Sequence, residues 1–284
     1  MSLYAHLVRR LVMGVLNVTP DSFFDGGRHL EPGAAVAYAR EMLDAGADIV
    51  DVGGESTRPG AGPVPAPEQL RRVLPVIEEL AGDPRVRDGQ ARISIDTRDP
   101  VVAFAAVAAG AGMVNDVSAS IELAEVAAES GAAYVAMHAK GTPADMQSDP
   151  RYDDVVKEVS EFLADLAYRA EAAGVEEVWI DPGIGFGKTA HHNLALLGCL
   201  DRITSLGWPV VVGTSRKTFL GRIAAGGPDS VPLPPAERYE GSLASAVWSM
   251  AKGAAAVRVH DVGPTVEAAR LLAAAEEAAK AVLT

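Results

Sequence analysis

Asp96 and Asp181 each close a short apolar run, Arg92–Asp96 and Val178–Asp181, and Asn115 sits inside a third, Met113–Val117. Carboxylates accept hydrogen bonds from ring N–H and amino groups, whereas an amide both donates and accepts. Brought together, the three would read the alternating donor and acceptor edge of a pterin-like or purine-like ring. They would reject analogues lacking those groups, because their own buried polar atoms would be left unpaired.

A second set is cationic. Lys217 ends Ser215-Arg216-Lys217, and Arg258 and His260 lie two apart in the run Ala256–His260. Residues two apart in a strand point to the same side. A guanidinium fork suits phosphate oxygens and an imidazole can donate to an anion. The plainer alternatives are a rim salt bridge for Arg258 and a satisfied core histidine for His260. For Asp96, Asp116 and Asp181 the alternative is helix capping. Asn17 begins the first βα loop and offers a hard amide oxygen, suited to a Mg²⁺ shared with phosphate. Zinc is not expected, because Cys- or His-rich ligand spacing is absent from the sequence. Cys199, the only cysteine, has apolar neighbours and reads as a buried structural thiol, and His29, His191 and His192 read as surface histidines.

The elements that must position these groups alternate regularly. Eight apolar, β-branched runs occur: Leu11–Val18, Ile49–Val52, Arg92–Asp96, Met113–Val117, Tyr134–His138, Val178–Asp181, Pro209–Gly213 and Ala256–His260. Between them lie stretches with helical spacing, including Ala34–Ala45, Glu68–Leu80, Tyr152–Ala173 and Leu243–Lys252. Gly46, Gly110, Gly131, Gly174, Gly207 and Gly253 mark helix ends. Strands alternating with helices imply a parallel sheet, and eight units imply a closed (β/α)8 barrel. Such a barrel needs about 250 residues, so 284 residues make one domain over 1–284. In a barrel the C-terminal strand ends converge on one mouth, and here each run ends in polar or glycine-rich residues. Pro59–Pro67 and Gly226–Pro235 read as surface loops. The alternative architecture is a doubly wound open sheet, suggested by Gly183-Ile184-Gly185-Phe186-Gly187-Lys188-Thr189. It fails in detail. A P-loop needs glycine where Pro182 stands, and a dinucleotide fingerprint needs glycine where Lys188 stands.

With 25 Lys and Arg against 38 Asp and Glu, the net charge of −13 argues against a nucleic-acid partner. It leaves room for a small anionic substrate held by a few local cations. Arg9-Arg10 precedes the apolar run Leu11–Leu16, but that run is too short for an export signal, and Asn17, Pro20, Asp21 and Asp25 follow at once. No stretch approaches the roughly 20 apolar residues of a membrane span. The expectation is a cytoplasmic protein with no membrane partner.

Asn17-Val18-Thr19-Pro20-Asp21-Ser22-Phe23-Phe24-Asp25-Gly26-Gly27 and Asp51-Val52-Gly53-Gly54-Glu55-Ser56-Thr57-Arg58-Pro59-Gly60 resemble the two signatures of the dihydropteroate synthase family. The likeness continues through Ser94-Ile95-Asp96-Thr97, Asn115-Asp116-Val117-Ser118, Met137-His138, Asp181 to Lys188, Ser215-Arg216-Lys217 and Arg258-Val259-His260-Asp261. It therefore spans nearly the whole chain, at every strand end. The resemblance implies a (β/α)8 barrel, usually a homodimer, that condenses 6-hydroxymethyl-7,8-dihydropterin pyrophosphate with p-aminobenzoate. The products are 7,8-dihydropteroate, used in folate synthesis, and pyrophosphate.

Carried over residue by residue, the resemblance puts the pterin on Asp96, Asn115, Met137, Asp181, Lys217 and Arg258. It puts pyrophosphate on Asn17, Arg258 and His260, with Mg²⁺ at Asn17. The p-aminobenzoate pocket falls to Phe23, Thr57, Arg58, Pro59, Phe186, Lys217 and Thr218. Asp25 joins Asp96, Asp181, Lys217, Arg258 and His260 as catalytic. Phe24, where Ser is common, and Thr218, where Ser or Arg is common, depart from the family pattern. A methyltetrahydrofolate-dependent methyltransferase shares the pterin acids but does not need Arg58-Pro59 or Ser215-Arg216-Lys217. A non-catalytic paralogue would have lost part of the first loop, the second loop or the lysine.

Overall fold

β-branched residues lose least by adopting extended backbone, and runs buried on both faces stay apolar throughout. The chain follows that rule. The computed structural model describes residues 10–19, 32–56, 62–142 and 145–283. Phe23, Phe24, Asp25, His29, Thr57, Arg58 and Pro59 lie outside the described residues.

Eight parallel strands form: β1 (Leu11–Asn17), β2 (Ile49–Gly53), β3 (Arg92–Asp96), β4 (Met113–Asp116), β5 (Ala133–Met137), β6 (Val178–Asp181), β7 (Val211–Val212) and β8 (Ala256–Val259). Their order is β6-β5-β4-β3-β2-β1-β8-β7. A parallel bridge from Ile180 to Val210 joins the two ends and closes the ring. Helices run between the strands, among them Pro32–Asp44, Ala66–Ala81, Pro100–Ala108, Ile121–Ser130, Val155–Ala172, Tyr239–Ala251 and Val262–Leu283. This is a (β/α)8 barrel. The six helix-end glycines named above all adopt positive φ.

The core has two parts. Outward-facing strand residues such as Val12, Leu16, Val50, Ile93, Val114, Ile180 and Val257 pack with the helices in one large cluster. A separate cluster of strand residues alone fills the ring: Met13, Ile49, Met113, Ala133, Val135, Trp179, Val211 and Ala256. Two sequence expectations need correction. Cys199 is half-buried rather than buried, packed against the outer core at a helix end. His192 is not a bare surface group. It closes a capping box with Thr189, each side chain accepting from the other residue's backbone N–H, and its ring meets Tyr152 edge-on at 4.9 Å.

Candidate active site

Strand alternation decides which side chains meet. Counting on by twos from the residues that fill the ring reaches Asn17, Asp51, Asn115, Met137, Asp181, Arg258 and His260. On β3, Ser94 pairs in register with Met113, so Asp96 shares the same face. All these side chains therefore aim into the lumen above the apolar filling. Four strands contribute to one hydrogen-bonded group. Arg258 Nε donates to Asp51 Oδ2 at 2.6 Å and Arg258 Nη2 to Asp96 Oδ2 at 2.7 Å. Asn115 Nδ2 donates to the same Asp51 oxygen at 3.0 Å. Asp51 Oδ1 and Asp96 Oδ1 are buried and have no hydrogen-bond partner among the described residues. Such acceptors are costly to bury unsatisfied, so this face is built to receive donors.

Asp181 accepts from Gly183 N–H at 2.7 Å. Lys217, on the loop after β7, donates to the Ile184 carbonyl, and its ammonium lies 4.8 Å from the centre of the Phe186 ring. His260 Nδ1 lies 2.9 Å from Ser215 Oγ. Burial raises the Asp181 carboxyl above its usual range, with Lys217 opposing. Burial lowers Lys217 to about 8, with Asp181 opposing. Asp96 is likewise raised by burial, against the pull of Arg258. Burial works against the Arg258 charge, but Asp51 and Asp96 outweigh it and leave the guanidinium held more firmly than usual.

A cavity of about 1140 Å³ opens at this end of the barrel. Asn17, Phe186, Lys217, Thr218, Arg258 and His260 all stand on its wall. Asp96, Asn115, Met137 and Asp181 are buried and do not contribute to that wall. The expected residues thus divide into a wall and a deeper polar layer, and Arg258 belongs to both. It is neither a rim salt bridge nor an idle fork. Asp116 does not cap a helix but pins the turn after β4: its carboxylate accepts from Ser118 N–H, Ser120 N–H and the Tyr134 hydroxyl, each at 2.6 Å, ahead of the helix Ile121–Ser130, whose N-cap Ser120 makes no side-chain cap bond.

The chain matches the pterin binding enzyme family over residues 13–260. It is 45% identical to the dihydropteroate synthase of Escherichia coli K12, over 93% of this chain and 90% of that one. The chain belongs to the dihydropteroate synthase family. Solved dihydropteroate synthase structures superpose closely. That of Xanthomonas albilineans with 4-aminobenzoic acid has a TM-score of 0.84 at 44% identity, covering 95% of this chain and 94% of that chain. That of Yersinia pestis with a sulfonamide drug has a TM-score of 0.87 at 40% identity, covering 98% and 100%. A dihydropteroate synthase is a transferase of folate synthesis.

Four residues that act in or behind the site carry no assigned role in the sequence reading: Asp51, Ser215, Lys188 and His138. Asp51 sits inside β2 rather than at its end; its signal in the sequence is a lone carboxylate in Ile-Val-Asp-Val-Gly, two residues before the strand terminus. Ser215, which meets His260, lies in Ser215-Arg216-Lys217, a motif in which the resemblance gives a role to the lysine alone. The buried pair Lys188 and His138 joins residues 50 apart, and nothing local announces it.

Proposed function

We infer that this chain joins the methylene carbon of 6-hydroxymethyl-7,8-dihydropterin pyrophosphate to the amino nitrogen of p-aminobenzoate, releasing pyrophosphate. One observation carries the reading. Two buried carboxylate oxygens, Asp51 Oδ1 and Asp96 Oδ1, lack donors next to Asn115, deep below a cavity whose wall carries Lys217, Arg258 and His260. A pterin edge supplies N–H and amino donors to acceptors of that kind, and the wall cations face its anionic tail.

In this reading Asp96, Asn115 and Asp181 orient the pterin, with Met137 and Lys217 packing about it. Arg258 and His260 receive pyrophosphate together with Asn17. Phe186, Lys217 and Thr218 border p-aminobenzoate, and Phe23, Thr57, Arg58 and Pro59 complete that pocket. The reaction is dissociative. The C–O bond to pyrophosphate breaks as the cations take up its charge, and the neighbouring carboxylates of Asp96 and Asp181 favour the positive pterin methylene. The arylamine then attacks and loses a proton. Asp25 belongs to the same catalytic set.

The donor set also bears on a metal. Asn17 presents an amide oxygen to the cavity, and the described residues contain no group of three or more His, Cys, Asp or Glu able to hold an ion. One hard protein oxygen fits a hydrated Mg²⁺ completed by phosphate oxygens and does not fit zinc. Bound there, Mg²⁺ would neutralise charge on the departing pyrophosphate. Homodimer assembly and a cytoplasmic location rest on the family resemblance and the sequence. No helix among the described residues is long and apolar enough to cross a membrane.

The test is to mix the purified chain with both substrates and follow pyrophosphate and dihydropteroate. Both should appear together, and neither with a single substrate. A folded chain that yields no dihydropteroate would sink the reading.

A further inference from the structure

Lys188 is almost fully buried, at 2% exposure, yet its ammonium is not used by the chemistry above. It lies 2.8 Å from His138 Nδ1, 2.9 Å from the Gly183 carbonyl and 3.0 Å from the Phe186 carbonyl. Burial and the neighbouring Lys188 lower His138 to about 3, so the imidazole is neutral and its Nδ1 accepts from the lysine; burial also lowers Lys188 to about 7, with Asp181 opposing, and its nitrogen carries N–H donors in either form.

The segment wound around this ammonium is the loop after β6. Its successive carbonyls from Gly183 to Gly187 each meet a side-chain donor. Lys188 takes those of Gly183 and Phe186, Lys217 that of Ile184, Gln147 that of Gly185 and Tyr152 that of Gly187. The loop also presses against the chain leaving β5. A Cβ at Gly183 would fall 1.7 Å from the His138 carbonyl oxygen, and one at Gly187 would fall 2.1 Å from that of Lys140. Both glycines have φ of +63°. Only glycine allows that approach.

Two features of the cavity wall depend on this loop: the carbonyl that seats Lys217 and the ring of Phe186 beside it. Of the deeper polar groups, Asp96 and Asn115 stand on β3 and β4, whereas Asp181 accepts from Gly183 N–H on this loop and feels the Lys188 charge. We propose that Lys188, oriented by His138, is a positioning residue for the arylamine half of the site, holding the 183–187 loop so that Lys217 and Phe186 receive p-aminobenzoate. The proposal rests on the assignment of p-aminobenzoate to this wall.

Lys188→Met keeps the length of the side chain and removes its donors. The KM for p-aminobenzoate should rise roughly tenfold or more, the scale of losing two or three hydrogen bonds, while the KM for the pterin pyrophosphate, held in addition by Asp96, Asn115 and Arg258, should rise clearly less. Equilibrium binding of p-aminobenzoate to the pyrophosphate-loaded protein should weaken by the same factor. His138→Leu should reproduce the split, and His138→Gln, which retains an acceptor, should restore most of it. These two variants decide the matter if Lys188→Met does not fold. Equal changes in both KM values, no change in either, or identical behaviour of His138→Leu and His138→Gln would overturn the proposal. Wild-type turnover tests the underlying assignment separately, since it does not depend on the variant ratios.

Discussion

Arg258 on β8 holds Asp96 on β3 through a 2.7 Å contact from Nη2 to Oδ2, although the two strands are not neighbours in the sheet. The bond is a chord across the barrel mouth, and Nε of the same guanidinium holds Asp51 on β2. One cation therefore balances two buried carboxylates and still reaches the cavity wall.

Removing it should cost both fold and function. Arg258→Met leaves Asp51 and Asp96 uncompensated, a loss of about 3–5 kcal/mol for a broken buried pair. Arg258→Lys keeps the charge but cannot make both bonds from a planar fork, so it should fall between. Denaturant unfolding alongside turnover measures this, and an unshifted midpoint in Arg258→Met would contradict the geometry.

Asp181→Ala should weaken pterin binding by about 2–5 kcal/mol, the usual loss on truncating one partner of a buried charged hydrogen bond. Calorimetry with a pterin ligand reads it directly. Unchanged affinity in a folded variant would move the pterin elsewhere.

Lys217 titrates near 8 rather than 10.5, chiefly because of burial. In the charged form it is attracted to Asp181 and to anionic substrate, so kcat/KM should fall as pH rises through about 8. Lys217→Arg, which does not titrate there, should lose that limb whatever its absolute rate. The linked stability has a definite sign: between about 8 and 10.5 the unfolded chain holds a proton that the folded chain has released, so this group makes stability increase with pH in that window. A profile unaltered by Lys217→Arg would assign the limb to another group.

Chelation by EDTA should suppress turnover, and Mg²⁺ should restore it without zinc. Asn17→Ala should raise the Mg²⁺ concentration needed for half-maximal rate. Full activity in metal-free buffer would remove the role given to Asn17.

Tyr134→Phe separates fold from site. Tyr134 is fully buried and its hydroxyl donates to Asp116 Oδ2 at 2.6 Å. Losing that donor should cost about 1–3 kcal/mol and leave both KM values unchanged. A changed pterin KM would instead give Asp116 a part in pterin binding.

The amino-acid sequence by itself determined the alternation of eight apolar runs with helices, the glycines that end those helices, and the polar residues at one end of each strand. These are local matters: backbone preference, period of hydrophobicity and turn chemistry act over a few residues. Because side chains alternate along a strand, the sequence also determined that Arg258 and His260 share a face. Tertiary structure alone decided which of the converging groups pair. Arg258 could not be assigned to Asp51 and Asp96, 207 and 162 residues away, until ring closure brought β8 beside β1. Lys188 follows a glycine-rich run that invites a phosphate-loop reading, and only the packing of that loop against the end of β5 buries its ammonium on His138. Hydrogen bonds and ion pairs depend on distances of about 3 Å, and for residues far apart in the chain those distances exist only once the barrel has closed.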